Sequence, residues 1–378
     1  MRLLEFQAKR LLAEKEISVP RSVLITSHDD LPKVFVPTLL KAQVPVGGRG
    51  KAGAIRRVEH EAQVASVVDE MLASTVKGHP VQAVLAEESV EVNRELYIAH
   101  LIDRQVNMPL LMASSAGGVD IEEVVKESPQ RIIKRHIDAL VGVQDYDLRF
   151  LTKALGLNDF RALAGLIRRI YDFSQEQDAT LVEINPLGVT PDGLVALDAK
   201  IVLDDKAAYR HQELFDELKA EQNQLDSRVR SKAVELAEKN QINYVPLGGN
   251  IGMIADGAGT GMLTLDMIHD AGGKPANFCE MGGMANTEII HRTMEVVLAD
   301  RHIKVLIISL IGGLTRMDEM AEGIVQHLKE NDPSIPIVIR MCGTKADVGL
   351  PMLRKAGLET YEDLATTVRT AVQRVKEL

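Results

Sequence analysis

The segment Lys41-Ala42-Gln43-Val44-Pro45-Val46-Gly47-Gly48-Arg49-Gly50-Lys51 gathers three cations around three glycines. Glycines let backbone amides approach an anion closely, and Lys41, Arg49 and Lys51 supply positive charge, so the chemistry on offer is phosphate binding. The segment is not a Walker A loop, which needs Ser or Thr after its lysine; here Ala52 follows Lys51. Taken alone, it reads equally well as a surface hairpin with solvated charges.

A second set lies in Glu183-Ile184-Asn185-Pro186 and Asp198. A strand alternates faces at every residue, so Glu183 and Asn185 share one face. If Thr190-Pro191-Asp192-Gly193 is a symmetric four-residue turn, Asn185 faces Asp198 and Glu183 faces Lys200. Oxygen ligands from Asn and Asp suit Mg2+, which keeps several waters and adds substrate phosphates. The plainer alternative is a solvated face with a Glu–Lys cross-strand pair. A third set is Ile311-Gly312-Gly313-Leu314-Thr315-Arg316, between a strand pattern and a helix pattern. Amides at that helix start could hold a carboxylate or phosphate, although one glycine turn by itself is more often only a turn.

Other chemistries lack their signatures. The ten histidines form no HxxxH or HExxH, and no GxSxG is present. Gly257-Ala258-Gly259-Thr260-Gly261 fails the dinucleotide pattern because Met262 stands where its last glycine belongs. The net charge of −10 argues against a nucleic-acid coat or an anionic-membrane binder. Aromatic residues at 3%, with no Trp, supply few base-stacking platforms. Neither Cys279 nor Cys342 sits in a CxxC, which fits a reducing cytoplasm. The N-terminus lacks a signal-peptide core, and the longest apolar stretch, Val305 to Leu314, is too short to span a bilayer. No nucleic-acid or membrane partner is expected.

Elements must bring these residues together. A length of 378 residues suggests two or three domains. The texture changes inside the Gly- and Pro-free stretch Asp204 to Asn240, and a boundary near residue 228 gives domains of 1–228 and 229–378. The first is α+β with antiparallel hairpins: a helix over Leu3 to Glu14 and another over Phe160 to Gln175, with strands over Leu39 to Val46, Val81 to Glu87, Leu96 to Ile102, Leu110 to Ser114, Thr180 to Val189 and Leu194 to Val202. Gly117-Gly118 turns into Val119 to Val125. The second domain repeats strand–glycine–helix four times, beginning at Ile251, Ala276, Val305 and Ile335. That repeat predicts parallel strands with crossover helices and puts all four glycine turns on the ligand-binding edge.

Together these pieces resemble the β subunits of succinyl-CoA synthetase, the ADP-forming succinate–CoA ligases. The resemblance runs through Glu5-Phe6-Gln7-Ala8-Lys9, Gly47-Gly48-Arg49-Gly50-Lys51-Ala52-Gly53, Gly117-Gly118-Val119-Asp120-Ile121-Glu122, Glu183-Ile184-Asn185-Pro186-Leu187 and Gly312-Gly313. It implies an α/β protein: an α+β ATP-grasp domain followed by a flavodoxin-like parallel α/β CoA-ligase domain. By position, Lys41 would hold nucleotide phosphates, Gly48, Arg49 and Gly50 would form the loop over them, and Glu87, Val90 and Glu95 would contact the nucleotide. Asn185 and Asp198 would bind Mg2+. Glu183 would steady a phosphohistidine, and Asp256, Gly313, Leu314 and Thr315 would form the acid-binding end. The implied reaction joins ATP, a carboxylic acid and CoA into acyl-CoA, ADP and phosphate. The resemblance implies that the phosphorylated His and most of the CoA site belong to an α subunit, and no histidine here has the α-type His-Ala-Gly context. Pro20 matches a position at which proline accompanies ATP rather than GTP.

The chain departs from the family pattern at Asp256, where Asn is usual, at Glu280-Met281-Gly282-Gly283-Met284-Ala285, at Gly248 and at Pro45. Most of these changes gather in the second domain and bear on the acid rather than on ATP. An ionised Asp256 would accept a hydrogen bond from a hydroxyl but repel a second carboxylate. A hydroxylated acid such as malate is therefore an alternative to succinate, and a non-catalytic nucleotide-binding partner is another.

Overall fold

Ala8, Leu11 and Leu12 bury one side of helix α1 (Glu5–Glu14) in an apolar core, while Glu5 and Lys9, one turn apart, are buried on another side. This computed structural model describes residues 1–46, 48, 50, 53–226, 231–331 and 333–378. The chain divides into two units, Met1–Arg228 and Val229–Leu378. Residue 228 itself, where the boundary is expected, lies outside the described residues.

In the first unit, β1 (Ser22–Ile25), β2 (Thr38–Ala42) and β3 (Ile55–Val58) precede helix α2 (Glu61–Leu72). A short hairpin, β4 (Thr75–Val76) and β5 (His79–Pro80), leads to β6 (Val84–Glu88). The antiparallel order is β1-β6-β2-β3, and Val64, Val68 and Met71 of α2 pack with Leu40, Val84 and Ala86. A second antiparallel sheet contains β7 (Arg94–Asp103), β8 (Met108–Ser114), β9 (Ile133–His136), β10 (Ala179–Thr190), β11 (Gly193–Ala196) and β12 (Ala199–Leu203). Its order is β11-β10-β7-β8-β9, with β12 also on β10. The helices α3 (Ile121–Glu127), α4 (Asp145–Ala154), α5 (Phe160–Glu176) and α6 (Gln212–Asp226) complete this unit among the described residues. Leu163, Ile167 and Ile170 of α5 pack with Ile98 of β7 and with Val182 and Ile184 of β10.

Two expected elements differ. The strand expected over Leu39 to Val46 ends at Ala42, short of the glycine segment. The return strand expected over Leu194 to Val202 is broken at Leu197-Asp198 into β11 and β12. The register itself follows the four-residue turn, with Thr190 opposite Gly193, Leu187 opposite Ala196 and Glu183 opposite Lys200.

The second unit runs α7 (Lys232–Asn240), β13 (Asn243–Pro246), β14 (Ile251–Ala255), α8 (Ala258–Asp270), β15 (Asn277–Glu280), α9 (Thr287–Leu298), β16 (Val305–Gly312), α10 (Met317–Asn331), β17 (Ile337–Gly343), α11 (Ala346–Lys355), β18 (Glu359–Tyr361) and α12 (Leu364–Glu377). The sheet order is β13-β15-β14-β16-β17-β18. β14 to β18 are mutually parallel, as the strand–glycine–helix repeat predicts, and continuous apolar runs bury both sheet faces. β13 is an unanticipated antiparallel edge strand on β15. Its sequence, Asn-Tyr-Val-Pro, sets two strand formers between an Asn and a Pro that strands disfavour, and the proline is tolerated because an edge strand has one unpaired side. No described helix is long and apolar enough to cross a membrane.

Candidate active site

β2 and β6 are adjacent, and their register places Leu39 opposite Glu87 and Lys41 opposite Leu85. Lys41 and Glu87 are buried, and Glu5 and Lys9 of α1 join them. Lys41 Nζ lies 3.0 Å from Glu5 Oε1, 2.5 Å from Glu87 Oε2 and 2.6 Å from the Leu197 carbonyl. Lys9 Nζ lies 3.0 Å from Glu5 Oε1 and 2.6 Å from the same Leu197 carbonyl, and it pairs with Glu87 Oε1. Two cations thus meet two anions and one backbone oxygen, which satisfies the requirement that buried charges be paired.

Burial works against a charge on either lysine. It prevails at Lys9, whose pKa is lowered, whereas Glu5, Glu87 and Asp198 outweigh it at Lys41, which is raised. The two environments are nearly the same, and both amines lie within salt-bridge distance of carboxylates, so both are read as ammonium ions. The Asp198 carboxylate acts on both, which places the end of the β10–β12 hairpin in the same electrostatic neighbourhood.

The hairpin carries the second set. Asn185-Pro186, joined by a cis peptide bond, stands opposite the Leu197-Asp198 break. Asn185 N–H donates to the Asp198 carbonyl at 3.2 Å, and Leu197 N–H donates to the Pro186 carbonyl at 3.1 Å. The Asn185 side chain is oriented from outside the hairpin. Its Oδ1 accepts the Gly118 N–H at 2.9 Å, and its Nδ2 donates to the Val119 carbonyl at 2.9 Å. One lone pair on Oδ1 remains. Gly118 has φ +70°, and a Cβ there would come within 2.1 Å of Glu95 Oε2. Glycine at 118 therefore lets one turn touch both Glu95 and Asn185. Glu183 sits 3.6 Å from Lys200 and raises the buried Tyr97 phenol, second to burial itself.

Asn185 and Asp198 offer hard neutral and anionic oxygens. Among the described residues no group of three or more His, Cys, Asp or Glu could hold a metal. A donor set of one amide and one carboxylate fits Mg2+, which takes few protein ligands and fills its shell with water and phosphate. Gly48 and Gly50 are exposed, Val90 is half-buried between β6 and β7, and Arg49, with Gly47, Lys51 and Ala52, lies outside the described residues.

Sequence reasoning missed four residues here: Glu5, Lys9, Tyr97 and Lys77. Glu5 and Lys9 are visibly one helical turn apart, but such pairs usually face solvent. Lys77 lies in the β4–β5 turn, and a Cβ at Gly48 would come within 2.9 Å of its Nζ. No local motif marks it as a neighbour of the glycine segment.

In the second unit the glycine turns gather at the C-terminal edge of the parallel strands. Gly343, at φ +93°, would bring a Cβ within 2.2 Å of the Gly312 carbonyl, so only glycine lets the β16 and β17 turns close on each other. Thr344 N–H donates to that carbonyl at 3.0 Å, and the Thr344 hydroxyl donates to the Gly313 carbonyl at 2.9 Å. Thr315 is buried and donates its hydroxyl to the Gly283 carbonyl at 2.9 Å, joining the turns after β15 and β16. Gly313 and Leu314 are exposed beside the start of α10.

Asp256 follows β14 and is buried, with Oδ2 accepting the Ile311 N–H at 2.5 Å. Burial raises its carboxyl above the usual range, against the pull of the Ile311 N–H, its own N–H, Arg340 and the Thr260 side chain. Asp256 therefore ties the end of β14 to the turn that opens at Ile311. The nucleotide-type and acid-type sets fall in different units.

A family model described as an ATP-grasp domain matches residues 2–189, and one described as CoA-ligase matches residues 254–374. The chain is 40% identical over 393 residues to the succinate–CoA ligase [ADP-forming] subunit beta of Thioalkalivibrio sulfidiphilus, covering all of both chains. It is 36% identical over 382 residues to the protein of that name from Ignicoccus hospitalis, again covering all of both. Its fold is similar to that of ATP citrate lyase from Methanothrix soehngenii, with a TM-score of 0.72, 23% identity, and coverage of 98% of this chain and 99% of that one.

Proposed function

The chain belongs to the β-subunit family of ADP-forming succinate–CoA ligases, and from that premise we propose that, with an α subunit, it converts ATP, succinate or a related dicarboxylate, and CoA into acyl-CoA, ADP and phosphate. It is an acid–thiol ligase subunit that uses nucleotide and CoA. The observation that carries the nucleotide half is the 2.6 Å bond from Lys41 to the Leu197 carbonyl. It brings the phosphate-binding lysine against the residue that precedes the second metal ligand.

In this reading Lys41 and the Gly48-Arg49-Gly50 loop hold the phosphates, and Glu87, Val90 and Glu95 line the nucleotide. Asn185 and Asp198 hold Mg2+, which when bound offsets the negative charge of the phosphates. Glu183, held 3.6 Å from Lys200, faces the histidine that the α subunit supplies and steadies it as a hydrogen-bond acceptor. The amides of Gly313, Leu314 and Thr315 receive one carboxylate of the acid. The Asp256 carboxyl already accepts internal hydrogen bonds, which favours an unsubstituted dicarboxylate over a hydroxylated one. Pro20 favours ATP over GTP. Two free cysteines suit the cytoplasm as its place of action.

The test is to co-purify the chain with an α-like partner and measure ADP formation with and without succinate and CoA. Robust ADP release that needs both, only in the presence of the partner, is the expected result. Acyl-CoA synthesis by the isolated chain, or acid-independent turnover by the pair, would overturn it.

A further inference from the structure

Lys41 and Lys9 contact the same three groups. Both reach Glu5 Oε1 at 3.0 Å, both reach the Leu197 carbonyl at 2.6 Å, and they take opposite oxygens of Glu87. An ammonium has three N–H donors, and these contacts occupy all three of Lys41's. A lysine that also binds phosphate must give up at least one of them. Without a substitute, that leaves buried carboxylate oxygens uncompensated, which is strongly unfavourable.

Lys9 is placed to be that substitute. α1 is held against β2 independently of the ion pairs, because Gln43 Oε1 accepts the Phe6 N–H at 3.1 Å while Gln43 Nε2 donates to the Lys41 carbonyl at 3.1 Å. Lys9 is as deeply buried as its partners and lies on the helix side that bears Glu5. We propose that Lys9 is a positioning residue for Lys41: by holding Glu5, Glu87 and the Leu197 carbonyl, it frees Lys41 to turn to the nucleotide phosphates. The same contact keeps Leu197, and with it the backbone leading to Asp198, in place during the exchange. This inference rests on reading Lys41 as the phosphate lysine.

The test uses the co-expressed complex and MgADP titrated by calorimetry, with kcat and KM for ATP and a thermal melt for each variant. Lys41→Met examines the underlying reading and is expected to weaken MgADP strongly; unchanged affinity would sink that reading before Lys9 is considered. Lys9→Met leaves Lys41 alone against two carboxylates, so MgADP affinity falls by about tenfold or more and KM for ATP rises in step, with kcat within about twofold. Lys9→Met/Glu5→Gln removes one positive and one negative charge and is expected to recover affinity to within about threefold of wild type. A lowered melting temperature is expected of Lys9→Met on either account, because a buried pair is broken; a merely structural Lys9 predicts that loss with MgADP affinity and KM for ATP unchanged in the folded protein. If Lys9→Met does not fold, Glu5→Gln alone decides, because the exchange model predicts unchanged or tighter MgADP. Wild-type affinity in Lys9→Met, or weaker binding in Glu5→Gln, would overturn the proposal.

Discussion

Asn185→Ala separates two roles carried by one side-chain amide. The amide makes two 2.9 Å hydrogen bonds, accepting from Gly118 N–H and donating to the Val119 carbonyl. Both are exposed, so each is taken at the low end of the net range, and their joint loss costs about 1 kcal/mol. For a unit of this size that lowers the midpoint of unfolding by roughly 2–4 °C. The second role is the one proposed above, in which the remaining lone pair of Oδ1 is a ligand for Mg2+. Losing one of two protein ligands raises the Mg2+ concentration for half-maximal ADP formation by about tenfold or more, since even outer-shell losses reach that size. Asn185→Asp divides the two effects. It keeps an acceptor for Gly118 N–H, loses the donor to Val119 and adds a negative oxygen at the ligand position. It should melt slightly below wild type yet require no more Mg2+. The assay is differential scanning fluorimetry without nucleotide, with coupled ADP release across a Mg2+ titration. Mg2+ dependence that is unchanged in Asn185→Ala, or raised equally in both variants, would show that Oδ1 is not a ligand.

Three further outcomes are expected. Gly118→Ala places a Cβ 2.1 Å from Glu95 Oε2 at φ +70° and should cost about 1–2 kcal/mol; MgADP binding should weaken as Glu95 and the Asn185 clamp shift, and a wild-type melt with wild-type binding would refute the contact. Asp256→Asn keeps an acceptor for the Ile311 N–H, so the ratio of kcat/KM for succinate to that for malate should stay within about threefold; a tenfold move toward succinate would instead reveal a hydroxyl-binding role. Burial pulls His100 down to about 4, so the unfolded chain binds a proton near its ordinary pKa that the folded chain refuses. Stability from this residue is therefore present above about pH 6.5 and is lost as pH falls toward 4, by about 3 kcal/mol in all. His100→Leu should flatten that part of the acid limb in urea titrations, and an unchanged limb would show that His100 is not responsible.

The alternation of strand–glycine–helix after residue 250 was legible because each unit is local: an apolar run, a glycine that ends it and an amphipathic helix that covers it. The β10–β12 register was legible for the same reason, since a four-residue turn sets which residues oppose one another. From those local rules the chain by itself determined the parallel sheet, the common edge of its glycine turns and the pairing of Glu183 with Lys200. Other features depend on partners distant in sequence. Whether Glu5 and Lys9 face solvent or a buried cluster depends on where α1 lands, 36 and 82 residues away from Lys41 and Glu87, counted from Glu5. The Gly118 clamp on Asn185 spans 67 residues, and the Asp256 bond to Ile311 spans 55. No local pattern encodes such contacts, because a carboxylate or amide is compatible with both water and a buried partner. Only the packed structure removes the water and makes the pairing obligatory.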